Sequence, residues 1–180
     1  MNSYETVKTN KQEKIKDIKI VIYNEEYELG IIWDISLVNG TWIYGNINFI
    51  IEGEIIPKNF SNKFTLATVF LCLKRSFEKK SYSAGQSLGE LGNKEVDYIK
   101  LDYGEEVDIF SIDITELADY HLLLDMGYSG DNERLFYSKN FGKTYKEVVM
   151  RKGTLESIIM QLPNHNELKS MANSFILKSV

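Results

Sequence analysis

From Leu29 to Phe77 the apolar residues recur first at every second position and then at every third and fourth, so this stretch must fold as strands followed by a helix. Leu29, Ile31, Trp33, Ile35 and Leu37 alternate with Gly30, Ile32, Asp34, Ser36 and Val38. Beyond Asn39-Gly40, the residues Ile43, Ile47, Phe49 and Ile51 again fall on one side. A two-residue Asn39-Gly40 loop would oppose Leu37 to Trp42 and Ile31 to Asn48, mixing the faces. A three-residue loop, Val38-Asn39-Gly40 with Gly40 left-handed, opposes Leu37 to Thr41, Ile35 to Ile43 and Ile31 to Ile47. That register lays Trp33 over Gly45 and keeps one face apolar, so it is the one the sequence predicts. The other face then shows the pairs Ser36–Trp42, Asp34–Tyr44 and Gly30–Asn48. Trp42 and Tyr44, set among small polar groups with Asp34, suit either a partner surface or the floor beneath a second layer.

A turn at Glu52-Gly53 returns a short strand, Glu54 to Ile56, which Pro57 stops because it has no N–H for the ladder. Ser61 or Asn62 is placed to cap a helix whose buried stripe is Leu66, Val69, Phe70, Leu73 and Phe77. Lys74, Arg75, Lys79 and Lys80 crowd its C-terminal end, where they complement the helix dipole. Cys72 is a small packer between these positions. The helix is expected to lie across the apolar face of the sheet.

Taken together, Ile31-Ile-Trp-Asp-Ile-Ser, Gly40-Thr-Trp-Ile-Tyr-Gly, Phe49-Ile-Ile-Glu-Gly and Leu66-Ala-Thr-Val-Phe-Leu-Cys-Leu-Lys-Arg resemble small immunity proteins of bacterial polymorphic toxin systems. The resemblance covers about a third of the chain, residues 29–79. It implies a protein that binds one cognate toxin and blocks it without catalysis. It brings no set of binding residues with it.

The chain has 180 residues, 43% of them hydrophobic and 26% charged, which is enough for one core with no composition break. Residues 18–180 are expected to form a single domain behind a polar, lysine-rich tail at 1–17. One cysteine excludes a disulfide framework, and the first residues hold no apolar signal segment. No apolar run approaches the roughly 20 residues a bilayer span needs. A cytoplasmic location is therefore expected, with no membrane partner.

Charge is unevenly distributed. Residues 21–57 hold six acidic and no basic side chains, and residues 58–80 hold six basic and one acidic. Residues 95–133 hold twelve acidic groups against Lys100 alone, while residues 134–180 return to a net +5. An acidic surface attracts basic partners and speeds their encounter, which suits the inhibitor of a basic, phosphate-binding toxin. The alternative is that the basic helix neutralises the acidic segment in the fold. With three arginines among 21 basic residues, nucleic acid is a poor candidate ligand.

The remaining chain reads as a first strand at Lys19–Tyr23 and an irregular loop at 81–94. Four further strands are predicted at Val107–Ile114, Tyr120–Met126, Arg134–Ser138 and Lys146–Lys152, with turns at 127–132 and 139–142. Thr154 is expected to cap a helix to Leu162, and Asn164 a last helix with Leu168, Met171, Ala172 and Phe175 on one face. The predicted class is α+β with mainly antiparallel sheet.

No catalytic constellation emerges. His121 and His165 read as structural, no zinc-ligand spacing occurs, and Gly85, Gly89 and Gly92 lack the ending of a phosphate loop. Asp125, Asp131 and Glu133 lack calcium-loop spacing. The reading is a non-enzymatic immunity protein with no cofactor or metal, which binds a cognate protein toxin. Its candidate contact residues are Asp97, Asp102, Glu105, Glu106 and Asp108, with Asp34, Trp42 and Tyr44. The alternatives are a small hydrolase or transferase working through carboxylates, or an adaptor domain unrelated to toxins. Oligomeric state is not legible.

Overall fold

The computed structural model describes residues 13–14, 19–58, 63–79, 89–106 and 108–177. In chain order the elements are β1 (Glu13–Lys14), β2 (Ile20–Asn24), β3 (Leu29–Trp33), β4 (Leu37–Asn39), β5 (Trp42–Gly45), β6 (Ile47–Ile51), β7 (Glu54–Ile56) and β8 (Phe64–Thr65). There follow α1 (Leu66–Lys79), α2 (Tyr98–Asp102), β9 (Ile109–Ser111), a 3-10 helix (Thr115–Tyr120), β10 (Leu123–Ser129), β11 (Asn132–Ser138), β12 (Lys146–Arg151), α3 (Thr154–Met160) and α4 (His165–Leu177). The strands form three antiparallel sheets, β2-β3-β6-β7, β1-β4-β5-β8 and β12-β11-β10-β9. The fold is α+β, as the sequence predicts.

The long hairpin keeps its two apolar sets on one face but in a different register. Ile31 opposes Phe49 and Trp33 opposes Ile47, two residues further along than expected. The loop is Gly40-Thr41, with Gly40 at φ 63°, and it pairs Asn39 with Trp42 and Leu37 with Tyr44. A β-bulge reconciles the two halves: the Ser36 amide donates to Tyr44 O while Leu37 also lies opposite Tyr44. The extra residue exchanges faces, so that Val38 rather than Leu37 packs on the core. Gly45 is obligatory here, because a Cβ would strike the Asp34 carbonyl and Leu66. Trp33 therefore does not cover Gly45; the Asp34 main chain does.

Several local signals hold. Glu52 and Gly53 both have positive φ, 51° and 71°, as a two-residue hairpin turn requires, and Ile51 opposes Glu54 across it. All five stripe residues of α1 are buried, with Phe70 edge-on to Trp33 at 5.2 Å. Such a ring pair adds about 1 kcal/mol to the burial itself. Asn164 caps α4 by accepting from the amides of Asn166 and Glu167, and Glu167 accepts from Asn164 N in return, a capping box. The main core gathers residues of the sheets with α1, α3 and Leu168 and Ala172 of α4.

Other expectations need correction. The strand predicted at Val107–Ile114 is only β9, and the one at Tyr120–Met126 starts later, because the 3-10 helix occupies Thr115–Tyr120 and His121 turns left-handed at φ 69°. Gly127 lies inside β10 rather than in the turn, where a Cβ would press on Leu91 and the Asp108 carbonyl. The proposed caps Ser61 and Asn62, the Phe175 side chain, most of 81–94 and most of the tail lie outside the described residues. Within the tail, Glu13 and Lys14 pair with Val38 and Leu37.

Thr154 does not cap α3. The cap comes from β11: wholly buried Glu133 accepts from Gly153 N and Leu155 N, both at 2.7 Å. A carboxylate here meets the positive end of the helix and satisfies two otherwise orphaned amides. Glu133→Ala should lower unfolding free energy by about 2–4 kcal/mol in urea denaturation. Glu133→Gln keeps one acceptor oxygen and should lose less.

Candidate functional site

The two faces of the sheet β12-β11-β10-β9 differ in chemistry. One face turns Leu124, Met126, Tyr128, Leu135, Tyr137 and Met150 into the main core. By strand alternation the other face carries Ser111, Asp125, Gly127, Arg134, Phe136 and Glu147. Residues 89–106 lie over that polar face and form a second, smaller core of Leu91, Val96 and Leu101 with Ile109 and Phe136.

Arg134 fixes this cover. Its side chain is buried and forks onto Glu147, at 2.6 and 3.1 Å. Its remaining nitrogen donates to the carbonyls of Gly92 and Lys94, at 2.9 and 2.8 Å. Glu106, also buried, accepts from Lys94 Nζ at 2.9 Å and from Asp97 N at 3.0 Å. Asp97 in turn caps α2 by accepting from Ile99 N and Lys100 N. Tyr98 of α2 stacks on Tyr145 at 5.5 Å and meets Phe136 edge-on.

The outward side of this layer is the candidate site. Ile99 and Tyr103, four residues apart, are 72% and 74% exposed, while Leu101 points inward. The turn after β11 abuts them: Gly142, at φ 75°, lies so close to the Asp102 carboxylate that any Cβ would collide with it. Phe141, half-exposed, stands beside it with its ring edge-on to His121 at 4.1 Å.

The structure distributes the residues singled out from sequence as follows. Asp97, Asp102 and Glu105 come together around α2. Asp108 lies at the layer's edge, half-buried, accepting from Gly89 N at 2.6 Å. Asp34 and Glu106 are not exposed: 5% and 4% of their surfaces reach solvent, and both carboxylates are engaged internally. Asp34 holds the Asn46 amide groups beside the bulge. Trp42, 56% exposed, borders a groove of about 350 Å³ with Ala67, Leu71, Lys74, Pro163 and His165. Tyr44 is half-buried opposite Leu37. Ile99, Tyr103 and Phe141 escaped the sequence reading, although the i, i+4 pair Ile99–Tyr103 within an acidic run was a usable signal.

A cavity of about 590 Å³ is lined by Glu54, Ile56, Pro57, Lys58, Asp119 and His121, among others. Glu54 bridges Lys139 at 2.6 Å and Lys58 at 3.0 Å, and these hydrogen bonds hold its carboxyl down to about 2. A carboxylate so tightly paired is a poor base. Among the described residues no three His, Cys, Asp or Glu side chains converge as metal ligands.

Asp125 is the perturbed group beneath the cover. Burial pushes its carboxyl up to about 6 against hydrogen bonds from Ser111, at 2.6 Å, and Tyr145, with nearby Asp102 adding to the rise. The same burial, with Asp125 and Asp102 nearby, raises the Tyr145 hydroxyl. Because the folded value exceeds the unfolded 3.8, the native state holds this proton more tightly, so the contribution of Asp125 to stability is greatest below pH 4, declines toward pH 6 and then levels. At about 1.4 kcal/mol per tenfold change in proton affinity, the rise corresponds to about 3 kcal/mol at neutral pH. Asp125→Asn should therefore stabilise the protein at pH 7.5 and have little effect at pH 4, as denaturation at the two pH values would show.

No curated protein and no solved structure matches the chain. No helix among the described residues is long and apolar enough to cross a membrane. The family model of immunity protein 42 matches residues 22–165, a span that takes in the hairpin, α1, the covering layer and the C-terminal sheet. The chain thus belongs to the immunity protein 42 family.

Proposed function

We propose that this protein binds a cognate bacterial toxin directly and neutralises it by occupying its working surface, without catalysis, in the cytoplasm of the cell that makes it. The observation that carries this reading is membership of an immunity family over about four-fifths of the chain. The geometry supports it. Large exposed side chains of the kind enriched at protein interfaces stand on a backing of buried hydrogen-bonded charges, as Ile99 and Tyr103 do above Arg134 and Glu106. Of the residues singled out from sequence, Asp97, Asp102 and Glu105 are exposed around α2 and are the proposed contacts, while Trp42, also exposed, lies at the separate groove beside Leu71. Asp34 and Glu106 act through the scaffold, and Asp108 and Tyr44 border it.

Co-expression with the product of the gene immediately upstream, in a host that this product kills, tests the reading. Survival together with co-purification of the two chains is the expected outcome. Continued killing despite soluble expression of both would overturn the proposal.

A further inference from the structure

Resting on that reading, we infer that the toxin docks on the layer formed by α2 and the turn at residues 139–145, and that the surface it brings there is basic. Ile99 and Tyr103 project from consecutive turns, 72% and 74% exposed, with half-exposed Phe141 on the adjoining turn. Ile99 and Tyr103 form an exposed apolar pair on α2 and its C-cap. Such a pair commonly marks an interface, and here its backing is already ordered. Leu101 anchors α2 inward, Tyr98 is stacked on Tyr145, and the Gly142–Asp102 approach presses the turn against the helix. Phe141 is held by the bond from its amide to the His121 carbonyl.

Charge selects the occupant. Glu106 is buried against Lys94 and Glu90 pairs with Lys152, so the exposed charge around α2 is that of Glu95, Asp97, Asp102 and Glu105 against Lys100 and Lys143, four minus two giving −2. Asp97, Asp102 and Glu105 are exposed around the apolar residues, with Lys100 and Lys143 as the neighbouring cations. A basic toxin surface would be drawn to this excess and then seated on the apolar centre. Among the described residues lining the Trp42–Leu71 groove the charged group is the cation Lys74, which donates to the Leu162 carbonyl, and none is acidic.

The measurement is stopped-flow and surface-plasmon kinetics of the full chain with the purified product of the upstream gene, over a range of salt concentrations. Asp102→Lys/Glu105→Lys should slow association about tenfold at low salt and flatten its salt dependence. Ile99→Ala/Tyr103→Ala should raise the dissociation rate about thirtyfold. Trp42→Ala should leave both rates unchanged. Unfolding midpoints should match the wild type for Ile99→Ala/Tyr103→Ala and Trp42→Ala; because Asp102 packs against Gly142, Glu105→Lys alone is the charge variant that leaves that contact in place, and it should slow association about threefold. If the wild type binds and rescues while both double variants keep their rates within about twofold, the docking face is elsewhere and the inference fails. A loss of binding in Trp42→Ala alone would overturn it in favour of the groove. If the wild type neither binds nor rescues, the immunity reading itself falls and the inference with it.

Discussion

Arg134 is a buried cation whose partners come from three places, and its satisfaction dictates how the outer layer is built. An unpaired guanidinium at that depth would cost several kcal/mol. Glu147 on the neighbouring strand supplies one fork, but two more acceptors are needed above the sheet, and the carbonyls of Gly92 and Lys94 provide them. The segment from 89 onward must therefore cross the sheet at that point. Once it does, Lys94 reaches Glu106, Glu106 reaches the Asp97 amide, and Asp97 caps α2. An antiparallel sheet ordinarily leaves its polar face to water. Here that face is roofed, and the roof carries the exposed helix.

The parts of this fold that were legible in the sequence are those governed by local rules. The α1 stripe, the Glu52-Gly53 turn and the Asn164 box each depend on residues within a few positions of one another. The hairpin register was not legible, because the bulge opposite Tyr44 depends on the Asp34 main chain passing over Gly45 and on Asn46 gripping the Asp34 carboxylate. Alternation identified which residues share the core face before the bulge, but no pattern in the strand announces the extra residue. The Thr154 cap failed for a similar reason: Glu133, twenty residues earlier and on another element, satisfies the same amides.

Composition located the acidic run around α2 but treated its members as equivalent. Asp125, Glu106 and Glu133 belong to the run and are buried, each joined to partners that sequence proximity does not reveal. A charge block read from sequence assumes that every group is solvated. The count therefore overstated the surface potential and included Glu106 among contact residues, while the apolar side chains between the charges went unremarked. The acidic run approaches the basic helix at Asp113, whose amide donates to the Ser76 hydroxyl. Asp113 lies close enough to Cys72 of α1 that, with burial as the larger cause, it raises the thiol, while Arg75 and Lys79 act the other way.

Among the described residues the two apolar clusters pack on opposite faces of the sheet β12-β11-β10-β9. The main core is large and draws on nearly every element, whereas the outer cluster is small and relies on buried charge pairs for its position. Cooperative units with few apolar contacts open at lower free energy than the core does. Asp125 adds to this at neutral pH, where it is ionised in surroundings that favour its neutral form. Substitutions at Ile99 or Tyr103 therefore change what the outer layer presents without opening the main core. A partner seated on α2, as inferred above, would add its binding free energy to a layer whose own apolar cluster is small, and would meet side chains whose backing is already held by the Arg134 and Glu106 hydrogen bonds.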